Sequence, residues 1–516
     1  MIPSLNLDGP NVADMEVRSI SLRTSLGAVS FVGTGDIVAS RFCSDSRKVQ
    51  PGDIFVALRG SKIDGHQHID SAIAYGAAGV IVERPSSRIG VPQCIVANTR
   101  TAYAKICMEC FGSPQQKLNI IGVTGTNGKT TTTWLLRSIL ETAGRITGML
   151  GTLEYFDGRT SEAATLTTPD CEQLARYMAR MHHNQVTDCV MEISSHALHQ
   201  YRCSGITLNA AAITNISQDH FDYHGNAENY RAAKLRIATL LTSDNPLLLG
   251  IDDAGCQAIL KQLPADRKTL TFGIDPSADL RLESLHTSNS TQTLRLRLQY
   301  SSIEIETTLA GQHNALNLLA AGALAEQQGV SADKIRNGLE RVTNVPGRME
   351  RIDAGQAFSV FIDYAHTPDG ITKCVTTARG LTTGRVILAF GAGGDRDRSK
   401  RPLMAVAARN ADFVVVTSDN PRSESPGQII DDIVMGFDVR NQFVTCIDRQ
   451  QGIREAIKMA QPGDVVVIAG RGHEKDQQIG NRSISFDDRR VTRRLLLELL
   501  TGSSAESCSQ RSAISA

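Results

Sequence analysis

Short apolar runs separated by polar turns are the most regular feature of the N-terminal part of the chain. The runs DIFVALRG, VIVE and CIVAN are each long enough for one strand, and HQHIDSAIAYGAAG between the first two has helical spacing. Apolar runs of this length bounded by turn residues predict strands. Their alternation with a helical stretch predicts a small α/β unit.

From residue 118 onward the alternation continues with more strongly apolar runs. NIIGVTG, DCVMEIS, NAAAITNIS and NPLLLGI have the composition of parallel strands that are buried on both faces. A third series, FSVFIDYAH, RVILAFGAGG, FVVVTSDNPR and DVVVIAGRG, follows the Pro-Gly turn of NVPGRMERID, and each run ends in polar or glycine-rich residues. Because ligands bind at the carboxyl ends of strands in open α/β sheets, we expect the chemistry at these ends.

The length of the chain, 516 residues, is enough for about three domains of roughly 150 residues each. The pattern predicts an α/β protein with a small N-terminal α/β domain over 1–115, a central parallel-sheet domain over 116–345 and a C-terminal α/β domain over 346–500. We place the linker between the last two near Val345–Gly347. The tail over 501–516 is small and polar, and we expect it to be disordered.

Charge and composition restrict the class of partner. The chain has 54 basic and 54 acidic residues, so no general attraction to nucleic acid or to an acidic membrane is expected. It has no apolar stretch of about 20 residues and no secretory signal, which predicts a cytoplasmic protein without membrane insertion, whose 11 cysteines are reduced. Cys107 and Cys110 form a C-x-x-C pair without a second pair nearby, so packing within a helix is favoured over zinc or redox chemistry.

The segment GVTGTNGKTTTT at 122–133 has the character of a phosphate-binding loop. Gly125 and Gly128 suit a strand-to-helix turn whose backbone N–H groups face an anion at a helix N-terminus. Lys129 would neutralise phosphate charge, and the Thr130 hydroxyl would reach Mg²⁺. The usual spacing requires glycine where this chain has Val123. The loop alone does not distinguish a kinase, a switch protein or a ligase.

Further motifs follow this loop in order. They are TTPD at 167–170, MEISSHAL at 191–198, DHFDYHG at 219–225, GQHNALNLLAA at 311–321, VPGRMERI at 345–352, IDYAHTPD at 362–369, GAGGDRDRSKRPLM at 391–404, SDNPRSESP at 418–426 and GRGHE at 470–474. Together with TGTNGKTTT and the N-terminal CSDSRKVQPGDIFVALRG, they cover nearly the whole chain. In these motifs the chain resembles the Mur ligase family, the amide-bond-forming enzymes of peptidoglycan precursor synthesis, and also folylpolyglutamate synthase.

The resemblance implies a fold and an activity. The fold would be the three-domain Mur ligase fold, with a P-loop ATPase-like centre and a Rossmann-like C-terminal domain. The activity would be ATP-dependent addition of meso-diaminopimelate to the D-Glu of UDP-MurNAc-L-Ala-D-Glu through an acyl-phosphate. ATP and Mg²⁺ would be the cofactors, the two substrates the partners, and the protein a monomer. The active site would lie between domains that close by hinge motion.

The resemblance also implies roles for individual residues. Catalysis would fall to Lys129, Glu192, His220 and Lys234, and the metal to Thr130, Glu192, His220 and a carbamylated Lys234. ATP would be bound by Gly125, Thr126, Asn127, Gly128, Lys129, Thr130, Thr131, Asn314, Arg348 and Asp363, with Asn314 reading adenine. The UDP-MurNAc-dipeptide would contact Ser44, Ser46, His66, Gln67, Thr167, Thr168, Ser194, Gln200 and Arg202, with Asp45 and Arg47 in the same neighbourhood.

The tetrapeptide DNPR at 419–422 bears on the acceptor. In the family it accompanies diaminopimelate rather than lysine, and a guanidinium suits the second carboxylate by which diaminopimelate differs from lysine. The acceptor would be surrounded by Arg396, Asp419, Asn420, Arg422, Gly470 and Glu474, with Glu474 facing the distal ammonium. A structural alternative is that Arg422 forms an ion pair with an acid such as Glu424.

Two other functions stay open at this point. One is a lysine-adding or D-Ala-D-Ala-adding ligase of the same family, which DNPR and MEISSHAL disfavour. The other is a nucleotide-dependent scaffold without catalysis, from which we would expect loss of Lys129, Glu192, His220 or Lys234. All four are present.

Overall fold

The computed structural model describes residues 17–60, 63–288 and 291–512, with side chains as far as Thr501. The helices are α1 (Leu22–Leu26), α2 (Ile69–Ala74), α3 (Thr99–Cys110), α4 (Lys129–Thr142), α5 (Cys171–His183), α6 (Ser195–His199), α7 (Phe221–His224), α8 (Ala227–Leu235), α9 (Ala254–Leu260), α10 (Gln312–Gln327), α11 (Ala332–Glu340), α12 (Pro368–Gly380), α13 (Lys400–Ala408), α14 (Pro426–Val434), α15 (Arg449–Met459) and α16 (Asp488–Ser512).

The strands alternate with these helices. They are β1 (Ile20–Ser21), β2 (Ser30–Val32), β3 (Val38–Ala39), β4 (Phe42–Cys43), β5 (Ile54–Val56), β6 (Gly79–Val82), β7 (Gln93–Ile95), β8 (Asn119–Thr124), β9 (Thr147–Leu150), β10 (Glu154–Phe156), β11 (Ser161–Ala163), β12 (Asp188–Glu192), β13 (Ala210–Ile213), β14 (Leu247–Gly250), β15 (Thr269–Gly273), β16 (Leu280–Thr287), β17 (Gln292–Arg297), β18 (Ser302–Thr307), β19 (Glu350–Arg351), β20 (Ser359–Asp363), β21 (Val386–Phe390), β22 (Phe413–Thr417), β23 (Phe443–Cys446), β24 (Val465–Ala469), β25 (Asp476–Ile479) and β26 (Arg482–Ser485).

The chain forms two compact units. The first comprises residues 1–122, 145–209 and 236–245, and the second comprises 123–144, 210–235 and 246–516. β8 begins in the first unit and ends in the second, because the boundary falls after Gly122. The predicted tail overlaps the end of α16, which continues to Ser512, and residues 513–516 lie outside the described part of the chain.

The first unit contains the small α/β sheet that the N-terminal pattern predicts. Its strand order is β2-β7-β6-β5-β4, parallel from β4 to β7 and antiparallel at the β2 edge. β5 and β6 are buried along their whole length, and α2 packs its buried Ile69 and Ala72 into the same core as Phe55 and Val80. The order β11-β10-β9-β12-β8 continues the unit, with β12 parallel to β9.

In the second unit the order runs from β8 through β13, β14, β15, β16 and β17 to β18. The strands are parallel from β13 to β16, after which β17 and β18 turn antiparallel. All residues of β13 and β14 are buried, as their apolar composition predicts. α4 and α11 lie in close contact, since a Cβ on Gly338 would lie 2.4 Å from the Cα of Ile139.

The C-terminal part of the second unit is a doubly wound sheet with the order β19-β20-β24-β21-β22-β23. Alternate residues of its central strands face opposite sides: Leu388 packs in one core with α12, α13 and α14, and Ile387 in the other with α15 and α16. A polar or glycine-rich loop follows the carboxyl end of β20, β21, β22 and β24, as the sequence predicts. No helix within the described residues is both long and apolar enough to span a membrane.

Candidate functional site

The phosphate-loop segment is a sharp turn between β8 and α4 that only glycine fits at two positions. Gly125 has φ +151° and Gly128 has φ +87°. A Cβ at Gly125 would lie 1.9 Å from the Thr214 hydroxyl, and one at Gly128 would lie 2.3 Å from Oδ1 of Asn317. The loop is therefore held in close contact with β13 and α10. Its backbone leads directly into the N-terminus of α4, the geometry that favours anions.

Two lysines donate to the same carbonyl oxygen of this loop. Nζ of Lys129 lies 2.9 Å from the Gly125 oxygen and 3.0 Å from that of Thr126. Nζ of Lys234, on α8, lies 2.7 Å from the Gly125 oxygen and 4.6 Å from the centre of the Tyr230 ring. Lys234 is 1% exposed. Burial first, and then the charge of Lys129, holds the pKa of Lys234 well below its ordinary value of 10.5.

A cavity of about 250 Å³ lies beside the loop. Among the residues that line it are Asn127, His313, Asn317, Asp369 and Lys373. Nδ2 of Asn127 donates to Asp369 over 2.7 Å, and Lys373 is paired with the same carboxylate at 2.7 Å.

Asn314 is placed differently from its neighbours in the GQHN segment. It is 2% exposed, its amide donates to the Ala310 carbonyl over 2.8 Å, and its oxygen accepts from Nδ2 of Asn317 over 3.2 Å. The structure therefore brings His313 and Asn317, which the sequence analysis did not single out, to the cavity wall. Their helical spacing of four residues was the signal for a shared face.

Arg348 and Asp363 lie near the loop with different partners. The Arg348 guanidinium donates to the Thr130 hydroxyl over 3.0 Å and stacks 4.5 Å from the centre of the Tyr364 ring. Asp363 accepts backbone N–H groups of Met349 and Ala365, both over 2.7 Å. Burial raises the pKa of Asp363 despite the nearby charge of Arg348. Arg348 is thus within reach of a group bound at Thr130, whereas Asp363 fixes the backbone around it.

His220 belongs to a cluster around a buried carboxylate. Asp219 is 4% exposed, with Nε2 of His220 at 3.3 Å, Nζ of Lys400 at 3.6 Å and Nε2 of His366 at 3.8 Å. Burial would raise the pKa of Asp219, but these groups together hold it well below its ordinary value. His220 itself has φ +56° at the start of α7. Asp219, Lys400 and His366 are additions to the sequence-derived set.

The predicted muramoyl-dipeptide residues form one network within the first unit. The Thr168 hydroxyl donates to the Glu192 carbonyl over 2.8 Å and accepts from the Ser194 N–H over 2.9 Å. Arg202 donates to the Thr168 carbonyl over 2.9 Å and, with two nitrogens, to Gln200 Oε1 at 2.8 and 3.0 Å. The structure therefore brings Thr168, Ser194, Gln200 and Arg202 of this set together with Glu192 at the end of β12.

Thr152 connects this network to the Glu192 carboxylate. Its backbone N–H and hydroxyl donate to the two carboxylate oxygens over 2.8 and 2.9 Å, and its hydroxyl lies 3.2 Å from that of Thr167. Glu192 is 1% exposed, so these bonds hold its carboxylate in one orientation. Thr152 lies in an unremarkable polar turn of the sequence, and no pattern there indicated this contact.

The N-terminal candidates lie in two short 3-10 turns of the first unit. Asp45 begins the turn Ser46–Lys48 and binds both Nε and Nη2 of Arg47, at 2.9 and 2.8 Å; this pairing lowers the pKa of Asp45 to about 2. In the turn Gly65–His68, Nε2 of His66 accepts the Glu83 N–H, so Nδ1 carries the proton that is donated to Asp64 at 2.7 Å. Ser44 and Ser46 are half-buried, and Gln67 is exposed.

The DNPR loop after β22 and the GRGHE loop after β24 face each other. Nδ2 of Asn420 donates to Glu474 over 2.7 Å, and a Cβ on Gly470 would lie 2.5 Å from Oδ2 of Asp419. Burial, and then the charge of Asp419, raises the pKa of Glu474. Arg396, in the loop after β21, is exposed and donates to the Asp395 carbonyl over 3.0 Å.

Arg422 has no ion pair with the described residues. Its guanidinium donates to the Gly394 carbonyl over 2.7 Å, and its backbone has φ +50°. Glu424 instead pairs with Arg398 at 2.7 Å and Arg401 at 2.8 Å, so the structural alternative for Arg422 is not observed. Burial, and then the charge of Arg396, lowers the pKa of Arg422.

Two structures that the sequence analysis missed hold these loops. The β25–β26 hairpin bonds the backbone of Arg422 on both sides, through Gln478 at 3.1 Å and Gly480 at 2.7 Å. Beneath the loops, Arg449 is fully buried, pairs with Asp488 at 2.8 and 2.6 Å, and donates to the carbonyls of Ser418 and Ala469 over 2.9 and 3.0 Å. Arg449 thus clamps the ends of β22 and β24.

No group of three or more His, Cys, Asp or Glu side chains forms a metal cluster within the described residues. Cys107 and Cys110 are free and buried on α3, as the helix-packing interpretation predicts. Burial raises the pKa of both thiols, that of Cys110 to about 12.

The low pKa of Lys234 predicts a pH-dependent stability. Between that pKa and 10.5, the unfolded chain binds more protons than the folded chain, so the unfolding free energy of the wild type rises with pH. Relative to Lys234→Met, we expect it to rise by up to about 1.4 kcal/mol per pH unit in this window. Urea unfolding in CO₂-free buffer checks this. The exposed Lys268→Met serves as control, and parallel curves for wild type and Lys234→Met would contradict the assignment.

Three family profiles match the chain in order. They are the Mur ligase family catalytic domain over 42–107, the Mur ligase middle domain over 123–325 and the Mur ligase glutamate ligase domain over 347–472. A relative from Syntrophomonas wolfei is 41% identical over 470 residues, covering 90% of this chain and 96% of the relative. One from Geobacillus kaustophilus is 42% identical over 474 residues, with the same coverage. Both are named UDP-N-acetylmuramoyl-L-alanyl-D-glutamate–2,6-diaminopimelate ligase.

Solved structures of ligases are also similar to this chain. A structure of a ligase with the same name is 32% identical, with a TM-score of 0.63, and covers 93% of this chain and 99% of its own. The MurF ligase of Thermotoga maritima in complex with ADP, at 20% identity and a TM-score of 0.59, covers 89% of this chain and 96% of its own and shares the fold. With relatives above 40% identity along nearly their full length, the chain belongs to the Mur ligase family.

Proposed function

We propose that the protein is the ATP-dependent ligase that adds meso-diaminopimelate to the D-Glu of UDP-MurNAc-L-Ala-D-Glu in peptidoglycan precursor synthesis. The observation that carries the proposal is that the second unit contains two loops. One is a glycine-constrained phosphate loop, and the other is the loop after β22, whose Arg422 lacks a carboxylate partner among the described residues. The names of the relatives support the same substrates. The protein would act in the cytoplasm as a monomer, and light scattering checks the monomer.

The phosphate loop would bind ATP through backbone N–H groups, Lys129 and the Thr130 hydroxyl. Arg348, already bonded to Thr130, would add a second positive charge near the phosphates. The cavity beside the loop would take the base, with His313 and Asn317 on its wall. Asn314, our sequence-based candidate for reading adenine, would act by holding Asn317 through their 3.2 Å hydrogen bond.

The Thr130 hydroxyl and the His220 imidazole are candidate Mg²⁺ ligands of the second unit, and the Glu192 carboxylate is a candidate ligand of the first unit. Mg²⁺ binds one or two protein ligands together with substrate phosphates and water, so a cluster of several carboxylates is not required. The Thr130 hydroxyl lies at the end of the phosphate loop, where it accepts from Arg348. His220 lies in the cluster around Asp219. When bound, Mg²⁺ would neutralise phosphate charge.

Lys234 suits the carbamylation that the family resemblance implies. Only the neutral amine adds CO₂, and burial keeps the Lys234 amine neutral by lowering its pKa. Addition forms an N–C bond and releases one proton, which converts a potential cation into a carboxylate. We expect Lys234→Ala to lose activity and to recover part of it with short carboxylic acids, measured as phosphate release. Lys268→Ala should be unaffected, and failure of every acid to restore Lys234→Ala would contradict the modification.

The reaction would run in two steps. The D-Glu carboxylate takes the γ-phosphoryl group of ATP, giving an acyl-phosphate and ADP. The amine of diaminopimelate then attacks the acyl carbon, phosphate leaves, and the amine loses a proton. Lys129 and Arg348 would stabilise the transferring charge, which is the main catalytic requirement in phosphoryl transfer.

The remaining residues would position the two other substrates. The Thr168–Ser194–Arg202 network suits carboxylate and amide groups of the muramoyl-dipeptide, because it offers hydroxyls and a guanidinium on one site of the first unit. The turns at Asp45 and His66 would contact the UDP moiety. We propose the domain bounds 1–115, 116–345 and 346–500 for these binding regions.

Phosphate release tests the function directly. Purified protein with ATP, Mg²⁺ and UDP-MurNAc-L-Ala-D-Glu should release phosphate and form tripeptide with meso-diaminopimelate, and neither with L-lysine nor without an acceptor. Lys129→Ala, which removes the ammonium group proposed to neutralise phosphate charge, should give no product. Preference for lysine would refute the acceptor assignment, and no product with either amino acid would favour a scaffold.

Arg422 should determine acceptor choice. Arg422→Lys keeps the charge but loses the planar fork that binds a carboxylate with two nitrogens. We expect kcat/KM for diaminopimelate to fall at least about 30-fold, or ~2 kcal/mol, with KM for ATP unchanged. Arg440→Lys, at a residue whose side chain is 89% exposed, is the matched control. Equal losses for ATP and diaminopimelate would point to general damage instead.

A further inference from the structure

A second cavity in the second unit has a volume of about 340 Å³. It lies between the β16–β17 pair, the first turn of α10 and the helix α12. Its volume is within the range of pockets that bind small molecules, which begins at roughly 300 Å³. Leu285, Leu316 and Leu381 give it apolar walls. A small molecule with an apolar body would therefore fit it.

One wall residue, Gln292, has a buried acceptor without a partner among the described residues. Gln292 is 4% exposed and lies on the same face of β17 as Leu294 and Leu296, both of which are fully buried. Its Nε2 donates to the Thr287 hydroxyl over 3.2 Å, but its Oε1 has no hydrogen-bond partner among the described residues. A buried oxygen without a hydrogen bond has lost its hydration without compensation, so a donor at this position would be stabilising.

The charges near the cavity are already balanced. Lys373, on its wall, pairs with Asp369 at 2.7 Å. Burial, and then the charge of Lys373, lowers the pKa of His313 to about 4, so its imidazole is neutral at neutral pH. A charged ligand would find no uncompensated partner. The occupant that these walls favour is thus neutral.

We propose that this cavity is a second small-molecule site, which binds a neutral, largely apolar compound through one N–H or O–H donor to Oε1 of Gln292. His313, Leu316 and Lys373 also line the cavity beside the phosphate loop. The two cavities therefore have a common wall. A compound in the second site changes nucleotide affinity through that wall, and nucleotide changes the affinity of the compound by the same factor. This coupling rests on the proposed nucleotide site, whereas the binding site itself does not.

Indole and benzofuran provide matched probes, because they share a bicyclic shape and only indole has an N–H donor. Isothermal titration of the full-length protein, without nucleotide, should show indole binding roughly tenfold more tightly than benzofuran, the effect of one hydrogen bond. Equal affinities, or no binding of either, would overturn the proposal and leave ordered water as the partner of Gln292.

Two variants locate the site. Gln292→Met removes the acceptor at similar length and should abolish the preference for indole. Gly380→Leu should weaken both probes, because Gly380 lines the cavity and an added Cβ there meets no atom within 4 Å. Unchanged binding in both variants would place the probes elsewhere. The Gly380→Leu result remains decisive if Gln292→Met does not fold.

Titration with ADP distinguishes two separate binding sites from a single shared site. With separate sites, the apparent Kd of indole reaches a plateau as ADP increases, and the ADP affinity changes by the same factor. A Kd that rises in proportion to ADP without limit would show that the cavity is part of the nucleotide site, and would overturn the proposal. ADP binding measured alone, against Lys129→Ala, reports separately on the proposed nucleotide site.

Discussion

The carbonyl oxygen of Gly125 accepts hydrogen bonds from two lysines. The rest of the site depends on how the charge of these two amines is accommodated around one acceptor. Lys129 and Lys234 converge on one neutral oxygen in a place that excludes water from Lys234. Two like charges there repel each other, so either one amine gives up its proton or an anion arrives between them. Burial lowers the pKa of Lys234, so its neutral amine donates to the same oxygen as Lys129 without adding a second positive charge.

Two buried carboxylates of the second unit are paired with basic side chains. Asp219 is surrounded by His220, His366 and Lys400, and Asp488 is paired with the fully buried Arg449. Arg449 also donates to the carbonyls of Ser418 and Ala469, at the ends of β22 and β24. Breaking one partner would leave the other buried and uncompensated, which is costly. The same Arg449 side chain therefore neutralises a buried carboxylate and holds the ends of two parallel strands.

The sequence predicted the parts of this architecture that depend on local pattern. The buried strands β8, β12, β13 and β14 and the four C-terminal strands lie where their apolar runs are, and the predicted family and fold class are confirmed. Contacts between distant segments were not predictable in this way. Arg449 and Asp488 are 39 residues apart, and in the sequence both read as ordinary polar residues at helix ends. Within GQHNALN, the family pattern named Asn314; the spacing of His313 and Asn317 indicated a shared helix face, and the structure shows that this face lines the cavity.

The hairpin β25–β26 and the Arg449 clamp mean that the DNPR loop does not act as an independent module. Its backbone geometry at Arg422 is imposed by residues 478–480, and its base is tied to the neighbouring strand through residues 449 and 488. Exchanging residues 419–422 alone between related enzymes would transfer these side chains without the segments that hold the backbone of the loop. Transfer of this loop to another protein would therefore have to include residues 419–422, Arg449 and the segment 478–488 together.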